Sequence, residues 1–261
     1  KYLIQNLNKI YTDLDIFYSF HSDKKNIAVT GTNGKSTTVK IIYDILKDQK
    51  FDARLVRNIG NPILLEKRIK KKTIFVVEAS SYQLEYSKLF KAHFAVILNI
   101  SPDHLERHGN LRNYIKSKFK IIKNQSNKDV AFLNTKNRYI KKGIRENKVF
   151  SNIIRIDKNI STSVLNKINN PYFFTEGNKE NLSTVIEVLK KFNIKKNKIF
   201  KFLKNFKGLK YRQQIIYKSK KLTIINDSKA TSYSSSISIL KSMSNVFWIV
   251  GGIPKKGDKF L

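Results

Sequence analysis

"TGTNGKSTT", residues 30–38, joins a glycine, a Gly-Lys pair and a run of hydroxyls. These are the parts of a phosphate-binding loop, but the spacing is short. Only Thr32 and Asn33 separate Gly31 from Gly34, fewer residues than the commoner loop places there. Its setting argues against an accidental glycine turn. "NIAVT" (26–30) is an apolar run that reads as a buried strand entering the loop. "STTVKIIYDILKDQ" (36–49) then reads as a helix with Val39, Ile42, Ile45 and Leu46 on one face. At such a junction the free N–H groups of the helix start can hold an anion, helped by the helix dipole. Lys35 is placed to bridge terminal phosphates, and the hydroxyl of Ser36 or Thr37 to ligate Mg2+. An ordinary Gly/Asn turn leaves Lys35, Ser36 and Thr37 unexplained.

Outward from the loop, apolar strand-like runs alternate with amphipathic helical stretches. Strands are predicted over 73–80, 93–100 and 130–134, and helices over 111–124, 181–194 and 196–206. Residues 150–177 read as short strands and loops. After Gly208 the rhythm restarts with a strand at 221–227, a helix around 234–243 and a strand at 245–252. The fold class is therefore α/β: a mostly parallel sheet flanked by helices, then the start of a second, Rossmann-like α/β domain.

Composition excludes several classes. There are no cysteines, so disulfides and thiolate metal sites are out, and a reducing cytoplasm fits. No apolar run approaches the ~18 residues of a membrane span, and the polar start "KYLIQNLNKIYTDLD" is unlike a signal peptide. No membrane partner is expected. The chain opens on Lys1 rather than Met and stops at Leu261, just after "GGIPKKGDKF"; a piece of a longer protein is the expectation. The 52 Lys and Arg against 19 Asp and Glu, formally +33, could mark a nucleic-acid surface. However, the lysines are scattered, and Lys, Asn and Ile are abundant throughout, as in an AT-rich coding sequence. Weak polyanion binding follows from the charge; no specific nucleic acid is expected.

Other polar groups sit at predicted strand ends. Glu78 closes an apolar strand, where a Mg2+ ligand beside a phosphate loop belongs, although strand ends are often polar. "SPDHLERHG" (101–109) also follows a strand and carries Asp103, His104, Glu106 and His108. Lys118 shares a helix face with Tyr114, and by itself reads as one solvated lysine among many. "GNKENL" (177–182) opens a helix that Asn178 or Asn181 could cap. In "INDSKATSYSSS" (225–236), Asp227 and Lys229 precede hydroxyls that open a helix; the loop could meet a ligand or simply cap.

Taken together, these blocks resemble the Mur ligases, the ATP-dependent amide-forming enzymes of peptidoglycan synthesis, with folylpolyglutamate synthase as a cousin. The short loop is similar to theirs. "NIGNP" (58–62), "EASSYQLE" (78–85), "NISPDHLERHG" (99–109) and "NDSKAT" (226–231) resemble the D-glutamate-adding branch, and the last of these discriminates best. The resemblance implies a monomeric ligase that joins D-glutamate to UDP-N-acetylmuramoyl-L-alanine through an acyl phosphate. It implies that Gly31, Thr32, Asn33, Gly34, Lys35, Ser36 and Thr37 hold ATP phosphates, with Asn178, Asn181, Arg212 and Asp227 on the nucleotide. Ser36 and Glu78 would ligate one Mg2+, and His104 a second, together with Lys118 as a CO2-derived carbamate. Asn58, Ser80, Thr231 and Lys255 would contact substrates, and Lys229 the reacting groups. Residues 1–24 would then be the tail of a UDP-binding domain and a linker, 25–207 the ATP-binding domain, and 208–261 part of an amino-acid-binding domain. The sequence departs from the family at Arg57 (often Gly), Gly177 and Tyr211 (often His) and Tyr82 (Phe). Another amide ligase with a different amino acid is the alternative.

Overall fold

The computed structural model describes residues 5–56, 61–156 and 160–253. In chain order the first half comprises α1 (Asp13–His21), β1 (Asn26–Thr30), α2 (Lys35–Asp48), β2 (Ala53–Val56), β3 (Ile74–Glu78) and α3 (Ser81–Tyr86). Then come β4 (Phe94–Ile97), α4 (Leu105–His108), α5 (Leu111–Lys123), β5 (Val130–Leu133), α6 (Arg138–Glu146) and β6 (Asn152–Arg155). The last part holds α7 (Thr162–Ile168), α8 (Glu176–Lys190), α9 (Lys196–Lys204), β7 (Gln214–Lys218), β8 (Thr223–Asn226) and α10 (Tyr233–Leu240).

The six strands β1 to β6 form one sheet in the order β2-β3-β1-β4-β5-β6, and every pairing is parallel. Strands of a parallel sheet are covered on both faces, which is why they appear in sequence as continuous apolar runs. β1 is buried along its whole length. Its side chains alternate between two cores, as a period of two requires. Ile27 and Val29 face one layer with Val39, Ile42, Leu182, Val185, Ile199 and Leu203. Ala28 faces the other with Leu14, Phe17, Leu84, Tyr114, Phe119 and Ile140. Each buried aliphatic side chain contributes about 1.5–3 kcal/mol, against roughly 0.5–1.5 for a typical hydrogen bond. The two apolar layers therefore hold the sheet, and the polar contacts set the geometry of its loops.

β1 lies between β3 and β4, which belong to opposite directions of strand addition. Such a switch point leaves a crevice at the carboxyl ends of the strands. The loop at 31–34, Glu78 and the segment after β4 all emerge at that edge.

Helix α1 is tied into this body by two aspartates. Thr12 and Asp15 form a reciprocal capping box. Asp15 also accepts from the Ser87 hydroxyl at 2.7 Å and from the backbone N–H groups of Lys88, Leu89 and Phe90 at 2.8–3.1 Å. Asp13 accepts from the Gln83 amide at 2.9 and 3.0 Å.

Three parts differ from the sequence reading. Residues 150–177 contain a helix, α7, whose Leu165 and Ile168 are buried although the segment is polar; its signal is the capping Ser161. β7 had no counterpart in the expected elements and pairs antiparallel with β8. The strand expected at 245–252 is not formed, and Phe247 and Ile249 are 99% and 98% exposed. A strand needs a neighbour for its backbone groups, and among the described residues β7 and β8 pair only with each other.

Burial opposes the charged form of Asp15, but the hydrogen bonds from Ser87, Phe90, Thr12 and Leu89 outweigh it, and its pKa falls below the ordinary 3.8. Asp15→Ala is expected to cost about 3 kcal/mol in urea unfolding at pH 7. The contribution is complete above the unfolded-state value and disappears as pH falls through the lowered native one. The difference between wild type and variant should therefore shrink in that acid range.

Candidate active site

The short loop is held from below and from the side. The Thr32 N–H donates to the Asn99 carbonyl at 2.9 Å, the Asn33 N–H to Asn99 Oδ1 at 2.8 Å, and Asn99 Nδ2 returns to the Asn33 carbonyl at 3.1 Å. The Thr32 hydroxyl meets Tyr114 at 3.1 Å and accepts from the Ser101 N–H at 3.0 Å. Gly34 caps α2 with φ +85°, in the left-handed region that favours glycine. A Cβ there would lie 2.2 Å from Asn181 Oδ1. The α2 N-terminus is thereby left open toward the crevice.

Two lysines converge on one carbonyl. Lys35 Nζ donates to the Gly31 and Thr32 carbonyls at 2.8 and 2.9 Å. Lys118 Nζ, from α5, donates to the same Gly31 carbonyl at 2.9 Å and lies 4.5 Å from the centre of the Tyr114 ring. Lys118 is 1% exposed. Burial pushes its pKa well below 10.5, the charge of Lys35 adds to this, and Asp103 opposes it. The solvated surface lysine of the sequence reading is thus a buried amine driven toward its neutral, nucleophilic form.

Next to the lysines, the Ser36 hydroxyl donates to Glu78 Oε1 at 2.9 Å. Geometry thus singles out Ser36 as the hydroxyl facing the carboxylate. One carboxylate and one hydroxyl suit Mg2+, which commonly takes its remaining ligands from phosphates and water. Among the described residues no three His, Asp or Glu side chains converge as a metal site. His104 has φ 54° and lies 2.8 Å from the Tyr82 hydroxyl through Nδ1, 3.4 Å from Asp103 through Nε2, and near Glu106. His108 is buried, with Nε2 3.1 Å from Ser81 Oγ. Burial first, then the charge of Arg107, lower its pKa to about 4.

Across the crevice, the α8 residues Asn178 and Asn181 are buried. Asn178 Nδ2 donates to the Tyr172 carbonyl at 2.7 Å and to Gln213 Oε1 at 3.2 Å. Gln213 N–H donates to Asp227 at 3.0 Å, and Ser236 Oγ to its other oxygen at 3.1 Å. Burial raises the Asp227 pKa against these bonds and the Arg212 charge. Arg212 Nε is buried without a hydrogen-bond partner among the described residues. Lys229 and Thr231 are exposed. Ser80 caps α3, its hydroxyl accepting from the Gln83 N–H and donating to the Gln83 side chain. Asn58 and Lys255 lie outside the described residues. Sequence reading missed Asn99, Tyr172, Gln213 and Ser235, which donates to Asn33 Oδ1 at 3.0 Å. Tyr172 and Gln213 carry no local signal, whereas Asn99 and Ser235 lie in blocks already singled out.

Comparison with known proteins identifies the family. The family described as Mur ligase middle domain matches residues 29–195. The UDP-N-acetylmuramoylalanine–D-glutamate ligase of Rickettsia felis is 34% identical over 98% of this chain and 60% of its own length. Its counterpart in Francisella tularensis subsp. novicida is 36% identical over 96% of the chain and 60% of its own length. The chain thus spans about 60% of the length of these curated relatives. In fold, it is similar to the MurF ligase of Thermotoga maritima solved in complex with ADP, with a TM-score of 0.67 at 17% identity, covering 92% of this chain and 60% of that one.

Gly34→Ala combines a left-handed alanine, costing roughly 1–2 kcal/mol, with the Asn181 overlap. In chemical unfolding it should destabilise by more than the backbone cost alone. Adding Asn181→Ala should recover the steric part; no recovery would mean that Asn181 does not shape the loop.

Proposed function

This chain belongs to the Mur ligase family, and from that premise we propose that the protein is an ATP-dependent ligase joining D-glutamate to UDP-N-acetylmuramoyl-L-alanine. The observation that carries the reading is the pair of amines on the Gly31 carbonyl beside the Ser36–Glu78 pair. The names of the relatives and the "NDSKAT" block support D-glutamate as the amino acid. Among the described residues no helix is long and apolar enough to cross a membrane, and we place the enzyme in the cytoplasm, acting as a monomer.

A carboxylate repels an incoming amine and has no good leaving group. In the proposed reaction its oxygen attacks the γ-phosphorus of ATP, ADP leaves, and an acyl phosphate forms. The amine of D-glutamate then attacks the acyl carbon, and a tetrahedral intermediate expels phosphate to leave the amide. Lys35 and the N–H groups of Gly34 to Thr37 hold the phosphates and offset the repulsion between two anions, while the Thr32 and Asn33 N–H groups, taken by Asn99, shape the loop that carries them. Ser36 and Glu78 would ligate one Mg2+, and His104 with carbamylated Lys118 a second; bound there, the ions neutralise charge on the reacting oxygens. Lys118 supplies the carbamate by adding its neutral Nζ to CO2 with loss of one proton, which turns a cation into an oxygen donor. Asn178, Asn181, Arg212 and Asp227 bind the nucleotide in this reading, and Asn58 and Ser80 the muramoyl substrate. The exposed Lys229 and Thr231, with Lys255, meet D-glutamate when the C-terminal segment closes over the crevice and excludes water.

The decisive experiment measures phosphate release by the full-length protein from MgATP, with UDP-N-acetylmuramoyl-L-alanine and a panel of D- and L-amino acids. Release should require the nucleotide substrate and D-glutamate together, and Lys35→Ala should abolish it. Dependence on another amino acid would overturn the specificity, and no release with any pair the whole reading. Lys118→Ala should lose ligation and regain part of it with added short carboxylates. Full activity in that variant would remove Lys118 from the metal site.

A further inference from the structure

Tyr82, the second residue of α3, lies at the centre of a stack. Its ring is parallel to His108 within 9° at 5.7 Å, and the Arg107 guanidinium lies 5.9 Å from its centroid. His108 is itself anchored to Ser81, so the position of the Tyr82 ring is set from beneath. Its hydroxyl then meets His104 Nδ1 at 2.8 Å. His104 Nε2 points to Asp103 at 3.4 Å.

A neutral imidazole has one N–H and one lone pair, whereas a phenol can both donate and accept. When the Tyr82 O–H donates to Nδ1, the ring proton must sit on Nε2, facing Asp103. A cation bound at Nε2 needs the lone pair there. The proton must then reside on Nδ1, whose N–H donates to the Tyr82 oxygen. A rotation of one hydroxyl serves both states, and the ring need not turn. We infer that Tyr82 is a positioning residue for His104, presenting its Nε2 to a divalent cation through the Nδ1–hydroxyl contact and exchanging donor for acceptor when the cation binds. Partners of this kind behind a ligating histidine fix its tautomer and raise metal affinity. The inference rests on the reading of His104 as a cation ligand.

The test uses the full-length protein. In nitrogen NMR of the imidazole, assigned by loss of the signal in His104→Gln, the metal-free wild type should carry its proton on Nε2. With Mg2+ and a non-hydrolysable ATP analogue it should move to Nδ1. Tyr82→Phe keeps the stack and removes only the hydroxyl; it should give a mixture of tautomers without metal. Mn2+ affinity, followed by electron paramagnetic resonance, should fall about ten-fold. Unchanged tautomers and Mn2+ affinity in Tyr82→Phe, alongside weakened binding in His104→Gln, would overturn the positioning role alone. Wild-type Mn2+ affinity in His104→Gln would overturn the cation-ligand reading beneath it. If Tyr82→Phe does not fold, the wild-type spectra decide: a proton on Nδ1 in the metal-free protein would sink the proposal.

Discussion

The Gly31 carbonyl receives two amines, Lys35 from the start of α2 and Lys118 from the middle of α5. One backbone oxygen cannot balance two full positive charges, and only Lys35 has access to the crevice. Burial first, and the Lys35 charge after it, draw Lys118 toward its neutral state. Everything around the loop maintains this arrangement. Asn99 grips Asn33 on both sides of the peptide, Tyr114 holds Thr32, and Asn181 fills the space that a side chain at position 34 would need. An open helix N-terminus and one charged amine then face the same volume, a field suited to an anion with several negative oxygens.

The loop is also the meeting point of otherwise separate parts of the chain. Helix α1 is tied by side chains to the segment that follows Glu78, Asp13 holding Gln83 and Gln83 holding Ser80 at the start of α3. From the other end, Ser235 of α10 donates to Asn33, and Ser238 accepts from the Gly177 N–H at 3.4 Å. Asn99, Tyr114, Lys118 and Ser235, far apart in sequence, thus share their polar contacts with one short turn. Those contacts are few, so the apolar layers set the stability of the fold and the polar ones its loop geometry.

Much of the fold could be read from local pattern. β1, β3, β4 and β5 are apolar runs because both their faces are covered, and α2 and α5 show their buried stripes at helical spacing. Elements with weaker burial escaped. α7 carries only a short apolar face, β7 exposes Ile215 and Ile216, and the apolar residues at 245–250 found no strand to join. Hydrophobicity alone does not make a strand, because its backbone groups require a partner.

What the sequence by itself determined is the chemistry placed at the end of β1: a glycine loop, one lysine and a hydroxyl opening a helix, with Glu78 closing a neighbouring apolar run. These follow from period and spacing, which are local properties of the chain. Strand order was not local, and it alone brings β3 and β4 to either side of β1. Tertiary structure also decided that Ser36 rather than Thr37 faces Glu78, because α2 turns the Ser36 hydroxyl onto the carboxylate and leaves Thr37 buried. It separated Lys118 from the many other lysines by burying it. The charge state of an amine is set by the dielectric and the charges around it, and those exist only once the chain has folded.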